Sequence, residues 1–360
     1  MNRLTAIGLA SLAAYGLLIA SKYVGVVSAA RSEASVSQAA LAPAEEIAPA
    51  EVAPPQPSPG ARALAALPAP MPRAAPGRLS PAALEFRAAR DLRQYADNLS
   101  ARRAGLTGDE RFHLARALEE CQFATSINED LAAYSAKQRK QFIAGLPNGD
   151  PLNARRLAAY DAVDNTARCL GFQKSRISPR EIEELYAAAA QQGDARAQAR
   201  LVVAELNAHI KNQPRVDNQG HNLPGSDLDR LIGLLETRDP EAMLIVGQFL
   251  AQSAMASQLR VGPNGEVPEP SAFLGAFSLV ACDMVTDCVQ LNREPQNACA
   301  YGGYCNATSF EELYQNFLAS PWAYSQAMRY RGLIHTAIET RNWSLIGLVP
   351  RAAPPPTGGQ

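Results

Sequence analysis

The sequence predicts an all-α protein: an irregular, solenoid-like array of α/α helical hairpins with disulfides, preceded by a membrane anchor and a disordered tether. Three observations predict it. Helix-start signals recur along residues 80–349, apolar side chains between them repeat at helical spacing, and no strand-like alternation of useful length intervenes. Bulk numbers narrow the class further. Thirty-four basic and 35 acidic residues in 360 give a net charge of −1, without the basic excess of a nucleic-acid binder. A mean hydropathy of −0.16 excludes a polytopic membrane protein. Of the 26 prolines, fifteen lie in residues 43–81 and 350–356, at or beyond the edges of the region rich in helix signals.

Residues 1–30 read as the anchor. Arg3 is the positive flank, and residues 4–20 form a 17-residue stretch without a charge. As a helix it would rise about 26 Å, close to the hydrocarbon thickness of a bilayer. Lys22 and Tyr23 follow, two residue types that favour the headgroup interface. Small-residue sites at Val27-Ser28-Ala29 and Ser28-Ala29-Ala30 keep a cleaved signal peptide open as the competing reading. Either reading exports the rest of the chain. The expectation is a periplasmic protein held to the inner membrane through residues 4–20, or a secreted one after cleavage.

Residues 31–79 centre on APAEEIAPAEVAPPQPSPG, a composition that buries too little apolar area to offset chain entropy. They read as a semi-extended tether reaching at most about 150 Å as polyproline. Residues 350–360 read as a disordered tail.

The folded part divides into a helical hairpin region (80–177), a repeat region (178–260) and a Cys-containing helical region (261–349). Ser80-Pro81, Asp239-Pro240 and Ser320-Pro321 place a cap before proline at the first helical position. Thr107–Glu110, Ser178–Glu181 and Ser309–Glu312 have capping-box spacing. Ile182, Leu185, Tyr186 and Ala189 fall on one stripe; so do Leu228, Leu231, Ile232 and Leu235, and Ala242, Ile245, Val246, Phe249 and Leu250. No such helix is apolar all round, which predicts that each needs neighbours on one side only.

EIEELYAAAAQQGDARAQARLVVAEL reads as two helices joined at Gly193, where glycine suits a left-handed terminus. LDRLIGLLETRDPEAMLIVGQFL repeats the plan with Asp239 45 residues after Asp194. Tyr186, Ala189, Ala190, Gly193, Ala197 and Leu201 resemble the core of the Sel-one-like repeat, a tetratricopeptide relative. The resemblance covers residues 178–207 and, in part, 226–252, where Leu234-Leu235 and Arg238 replace the paired alanines and the glycine. Members of that family are scaffolds or adaptors, so the resemblance implies binding rather than catalysis.

Six cysteines beyond an export signal favour disulfides. Cys121 and Cys169 flank the strongest turn signal between them, Gly145-Leu-Pro-Asn-Gly-Asp-Pro151, so an antiparallel pair of helices would bring them together. Cys282, Cys288, Cys299 and Cys305 allow nested or local bridges, and spacing does not choose. Their C-x5-C-x10-C-x5-C pattern departs from that of zinc ribbons.

The four histidines (His113, His209, His221, His335) contain no i, i+4 pair, and neither a nucleophile elbow nor a phosphate loop is present. His335 is placed to meet Glu339 one helical turn on. Trp322, Tyr324 and Tyr330 read as a core stripe. No cofactor, metal or catalytic residue is expected. The expected function is a non-catalytic, exported scaffold binding a protein or an envelope component. The alternative is an envelope chaperone: lipase-specific foldases are similar in layout, although their Arg-x-x-Phe-Asp-Tyr motif is reduced here to Arg90-Asp-Leu-Arg-Gln-Tyr95.

Overall fold

The computed structural model describes residues 77–102, 105–127, 129–212, 225–253 and 259–349. The expected anchor, most of the tether and the tail lie outside the described residues. Among those described, no helix is long and apolar enough to cross a membrane.

Among the described residues the architecture is all-α, and pairing between extended segments is confined to two isolated bridges, Gly77 with Val285 and Val261 with Glu266. The helices of eight residues or more are α1 (Pro81–Ala88), α2 (Leu92–Ser100), α3 (Gly108–Cys121), α4 (Leu131–Ala144), α5 (Asn153–Val163), α6 (Pro179–Gln191), α7 (Ala195–Asn212), α8 (Gly225–Glu236), α9 (Pro240–Gln252), α10 (Pro270–Asp283) and α11 (Pro321–Thr340). Their starts follow local chemistry. Ser80, Asp239 and Ser320 each accept a backbone N–H from the first turn, and Thr107 with Glu110 forms the full capping box. Two expected boxes differ. The Ser178 side chain caps nothing, and α6 starts on Pro179 alone. Ser309 accepts from Glu312 N, but the Glu312 carboxylate turns one residue further back, to the amide and hydroxyl of Thr308.

The helices pack in sequence order: α3 on α6, α6 on α7, α7 on α8 and α9, α9 on α10, and α10 on α11. One core gathers Phe86, Leu92, Phe112, Leu185 and Tyr186; a second gathers Leu206, Leu231, Phe249, Phe277 and Ile334. The two meet within α7, which gives Ala197 to the first and Ala199 to the second.

The hairpins α6–α7 and α8–α9 share their joint. Gly193 and Arg238, 45 residues apart, both have positive φ (86° and 56°), and the aspartate after each caps the following helix. Arg238 occupies a conformation that glycine adopts more easily, so the fold holds it there against its local preference. Of the residues of the expected repeat, Tyr186, Ala189 and Ala197 are buried, and Ala190 packs against the first core. Leu201 differs from expectation: it is 37% exposed.

The one-sided burial expected of α9 fails: Met243 and Gly247 are buried together with Ala242, Val246, Phe249 and Leu250 of the predicted stripe, while Ile245 is half-buried. Helix α10, for which no stripe is predicted, buries Ala272, Phe273 and every residue from Gly275 to Ala281. These helices have neighbours on opposite sides. A Cβ on Gly247 would clash with Phe277 Cγ, and one on Gly275 with Tyr314 Cζ, so both glycines permit a close approach that a side chain would block.

The chain then returns. Gly77 donates to Met284 O and accepts from Thr286 N, while Leu79 packs on the second core. The last residues of the expected tether therefore belong to the fold. Residues 294–302 lie against α5, where Arg156 Nε donates to Ala300 O at 3.3 Å. The first helix meets the residues just before them, with Arg87 Nη2 donating to Leu291 O and Arg293 Nη2 to Arg87 O, so α1 and the Cys-rich segment share a seam.

All three disulfides are formed. Cys121–Cys169 closes the base of the α4–α5 hairpin, in which Arg139 grips Asp161 and Phe142 stacks on Tyr160. The remaining four form the local pairs, Cys282–Cys288 and Cys299–Cys305. Trp322 is 61% exposed while Tyr330 is buried, so the aromatic stripe of α11 begins only after its first turn.

Candidate anion-binding site

Most polar clusters in the fold are closed structural joints, and one is an open cleft. The largest joint begins at Arg196. Its guanidinium donates to Asp194, to Asp109 at 2.5 Å and to His113 Nε2 at 3.0 Å, and it lies 4.3 Å over the Phe112 ring. Ser80 Oγ donates to the same Asp109 oxygen at 2.9 Å. Serine, aspartate and histidine are thus gathered, but in the wrong order for catalysis: the carboxylate stands between the other two, and Ser80 Oγ is occupied as the cap of α1. The group is a fastener joining α1, α3 and α7.

His113 is 0% exposed. Arginine only donates, so His113 Nε2 accepts and the proton sits on Nδ1, which is buried without a partner. Burial first, then the charges of Arg196, Arg116 and Arg87, push its pKa down to about 2. In the unfolded chain it titrates near 6.5, so between these values the unfolded state holds more protons and stability falls as pH falls. Unfolding free energies from denaturant titrations are expected to drop on acidification below pH 6.5, by about 2 kcal/mol at pH 5 from this group alone. Asp239, raised chiefly by burial, acts with the opposite sign at the acid end. His113→Gln should flatten the profile between pH 7 and 5, and an unchanged slope in that variant would remove His113 as the cause.

His335 does not meet Glu339. Its Nε2 lies 2.7 Å from Asp283 Oδ2, and Arg331 clamps the same carboxylate from the next turn of α11. Burial alone would raise Asp283, but hydrogen bonds from His335 and Arg331 bring it down to about 2. This pair fastens α11 to α10.

The open cleft lies at the seam. It encloses about 350 Å³ and is lined by Leu84, Arg87, Ala88, Arg90, Arg168 and Arg293, among others. Each arginine arrives by a different local device. Helix α1 ends when Ala89 turns extended, leaving Arg87 in its last turn and Arg90 on the elbow to Asp91, the cap of α2. Arg168 ends the short helix Asn165–Arg168, fixed by the Cys121–Cys169 bridge one residue later. Arg293 sits between the short helices Cys288–Leu291 and Glu294–Asn297.

Part of this charge has a structural use. Arg168 donates to Phe86 O at 2.8 Å and Ala89 O at 3.0 Å, and Arg293 to Arg87 O at 3.3 Å, so both satisfy the terminal carbonyls of α1. Arg87 Nη2 in turn donates to Leu291 O at 3.2 Å. The rest is surplus. Arg87 Nε is buried with no partner. Arg90 makes no ion pair among the described residues, and Asp161, which feels its charge, is held by Arg139. Glu120 is the carboxylate that acts on Arg87, Arg168 and Arg293, and Arg116 shares it at 3.2 Å. Burial, then neighbouring arginines, lowers Arg87 to about 9 and Arg293 to about 10. Guanidinium remains charged at neutral pH regardless, so the cleft holds cations whose environment disfavours them.

Composition and spacing did not mark this site. Arg87, Arg168 and Arg293 are far apart in the chain, and only Arg90 lies in a segment with a sequence signal, the foldase-like Arg90–Tyr95. The predicted Cys121–Cys169 bridge is the closest sequence signal, because it positions Arg168. Comparison with protein-family models, with curated proteins and with solved structures finds no match.

Proposed function

We propose that this chain is a non-catalytic binding scaffold of the cell envelope, exported and tethered to the inner membrane through residues 4–20. Its hairpins carry a cationic cleft that receives an anionic group of a protein or envelope component. The surplus of guanidinium over carboxylate at the seam carries this reading, since buried like charge is costly until a counter-anion arrives. Six paired cysteines support an oxidising compartment. The resemblance of residues 178–207 to Sel-one-like adaptors supports binding over turnover.

The test is crosslinking of the full-length chain in its native envelope, followed by identification of its partners. Arg90→Glu alters an exposed side chain without a structural bond and should deplete anionic partners from the crosslinked set while the thermal midpoint stays unchanged. Recovery of a single secreted enzyme whose activity falls on deletion of this chain would favour the foldase instead. Turnover of purified peptidoglycan by the full-length protein would overturn both.

A further inference from the structure

We infer that the cleft at the seam takes a phosphomonoester, with Arg87, Arg90 and Arg293 as its donors and α1 linked through it to residues 288–296. This rests on the reading of the cleft as a binding site and names the chemistry of its ligand.

Charge chooses between the common anions. Arg87, Arg90, Arg168 and Arg293 line the cleft, while Glu120 is already divided between Arg168 and Arg116. A monoanion would leave most of that excess unmet. A phosphomonoester carries close to two charges at neutral pH and offers three terminal acceptor oxygens.

Direction agrees. A carboxylate is planar and is best served by one guanidinium fork in its own plane. Here the free donors come from three segments: the end of α1, the elbow at Arg90 and the turn at Arg293. Guanidinium groups brought to one cleft by separate segments suit a tetrahedral oxyanion. Arg168 is excluded as a main contact because its fork already serves Phe86 O, Ala89 O, Asn165 and Glu120.

Size and lining point to an ester rather than bare phosphate. The cleft has about 350 Å³, several times what a lone oxyanion fills, and Leu84, Ala88, Ala162 and Val289 give it an apolar wall beside the cations. That wall suits the carbon part of a lipid headgroup or of a soluble phosphorylated metabolite. The phosphate chemistry is common to both sources.

The experiment uses the full-length chain in phosphatidylcholine nanodiscs, titrated calorimetrically with glycerol 1-phosphate, dimethyl phosphate and succinate. Glycerol 1-phosphate should bind about tenfold more tightly than the other two, and Arg90→Gln should weaken it by about tenfold at an unchanged melting temperature. Arg87→Gln should abolish it; because Arg87 also bonds Leu291 O, Arg90→Gln keeps the test valid if that variant fails to fold. Discs containing phosphatidic acid should compete with glycerol 1-phosphate if the natural ester is lipid-borne and leave it unaffected if soluble; both outcomes uphold the chemistry. Equal binding of succinate would overturn the phosphate assignment while leaving the anion-binding scaffold standing. No binding of any anion, with an unchanged crosslinking pattern in Arg90→Glu, would overturn both.

Discussion

Replacing Arg196 with methionine should destabilise the protein by about 3–5 kcal/mol, the cost of leaving one side of a buried ion pair uncompensated. Burial by itself would lower the Arg196 pKa, but hydrogen bonds and charge from Asp194 and Asp109 outweigh it and hold the guanidinium above its usual range. Without it, Asp194 and Asp109 face each other and Asp239, which burial already raises. Arg196 is among the charges that hold Asp239 down, so its loss should raise the Asp239 pKa further above the unfolded value, and a proton bound there at low pH favours the folded state. The deficit against wild type is therefore expected to narrow between pH 7 and pH 4.5 in urea titrations. A loss under 1 kcal/mol, or a deficit constant with pH, would mean that the carboxylates find other partners. Methionine preserves much of the contact with Phe112, which separates the electrostatic loss from the packing loss.

Replacing Cys121 and Cys169 together with alanine should cost roughly 4 kcal/mol, from the loop entropy that a bridge of this span removes from the unfolded chain. The sequence separation is 48, against 6 for each of the other two bridges, for which the same relation gives about 2 kcal/mol. Both sulfurs are buried, so serine would add an unpaired hydroxyl and alanine is the cleaner substitution. The variant should also weaken anion binding at temperatures below its melting point, because Arg168 and the α1 carbonyls it holds depend on Cys169 next to it. Denaturant midpoints and calorimetry read the two effects separately. An unfolding free energy within 1 kcal/mol of wild type would show that the α4–α5 hairpin stays closed without the bridge, through Arg139–Asp161 and the Phe142–Tyr160 stack.

Both predictions concern residues whose legibility in the sequence differs. The Cys121–Cys169 bridge follows from a turn midway between two cysteines, a short-range signal that positions two helices and therefore their ends. Arg196 lies beside a recognisable cap, Asp194, yet its partners Asp109 and His113 come from a helix more than eighty residues earlier. The cleft is the extreme case. Arg87 and Arg293 meet across 206 residues of chain, and only the closure of the seam brings them together.

Helix identity and most helix starts were legible from residues 80–349 alone, because a cap, a proline or an apolar stripe acts within one or two turns and needs no distant partner. Burial of α10 on opposite faces, the left-handed backbone at Arg238, the local pairing of Cys282 with Cys288 and of Cys299 with Cys305, and the gathering of arginines at the seam were decided only by tertiary structure. Each depends on what packs across the chain. An apolar helix does not reveal how many neighbours cover it, and an arginine's sequence neighbours do not reveal whether its charge will be answered.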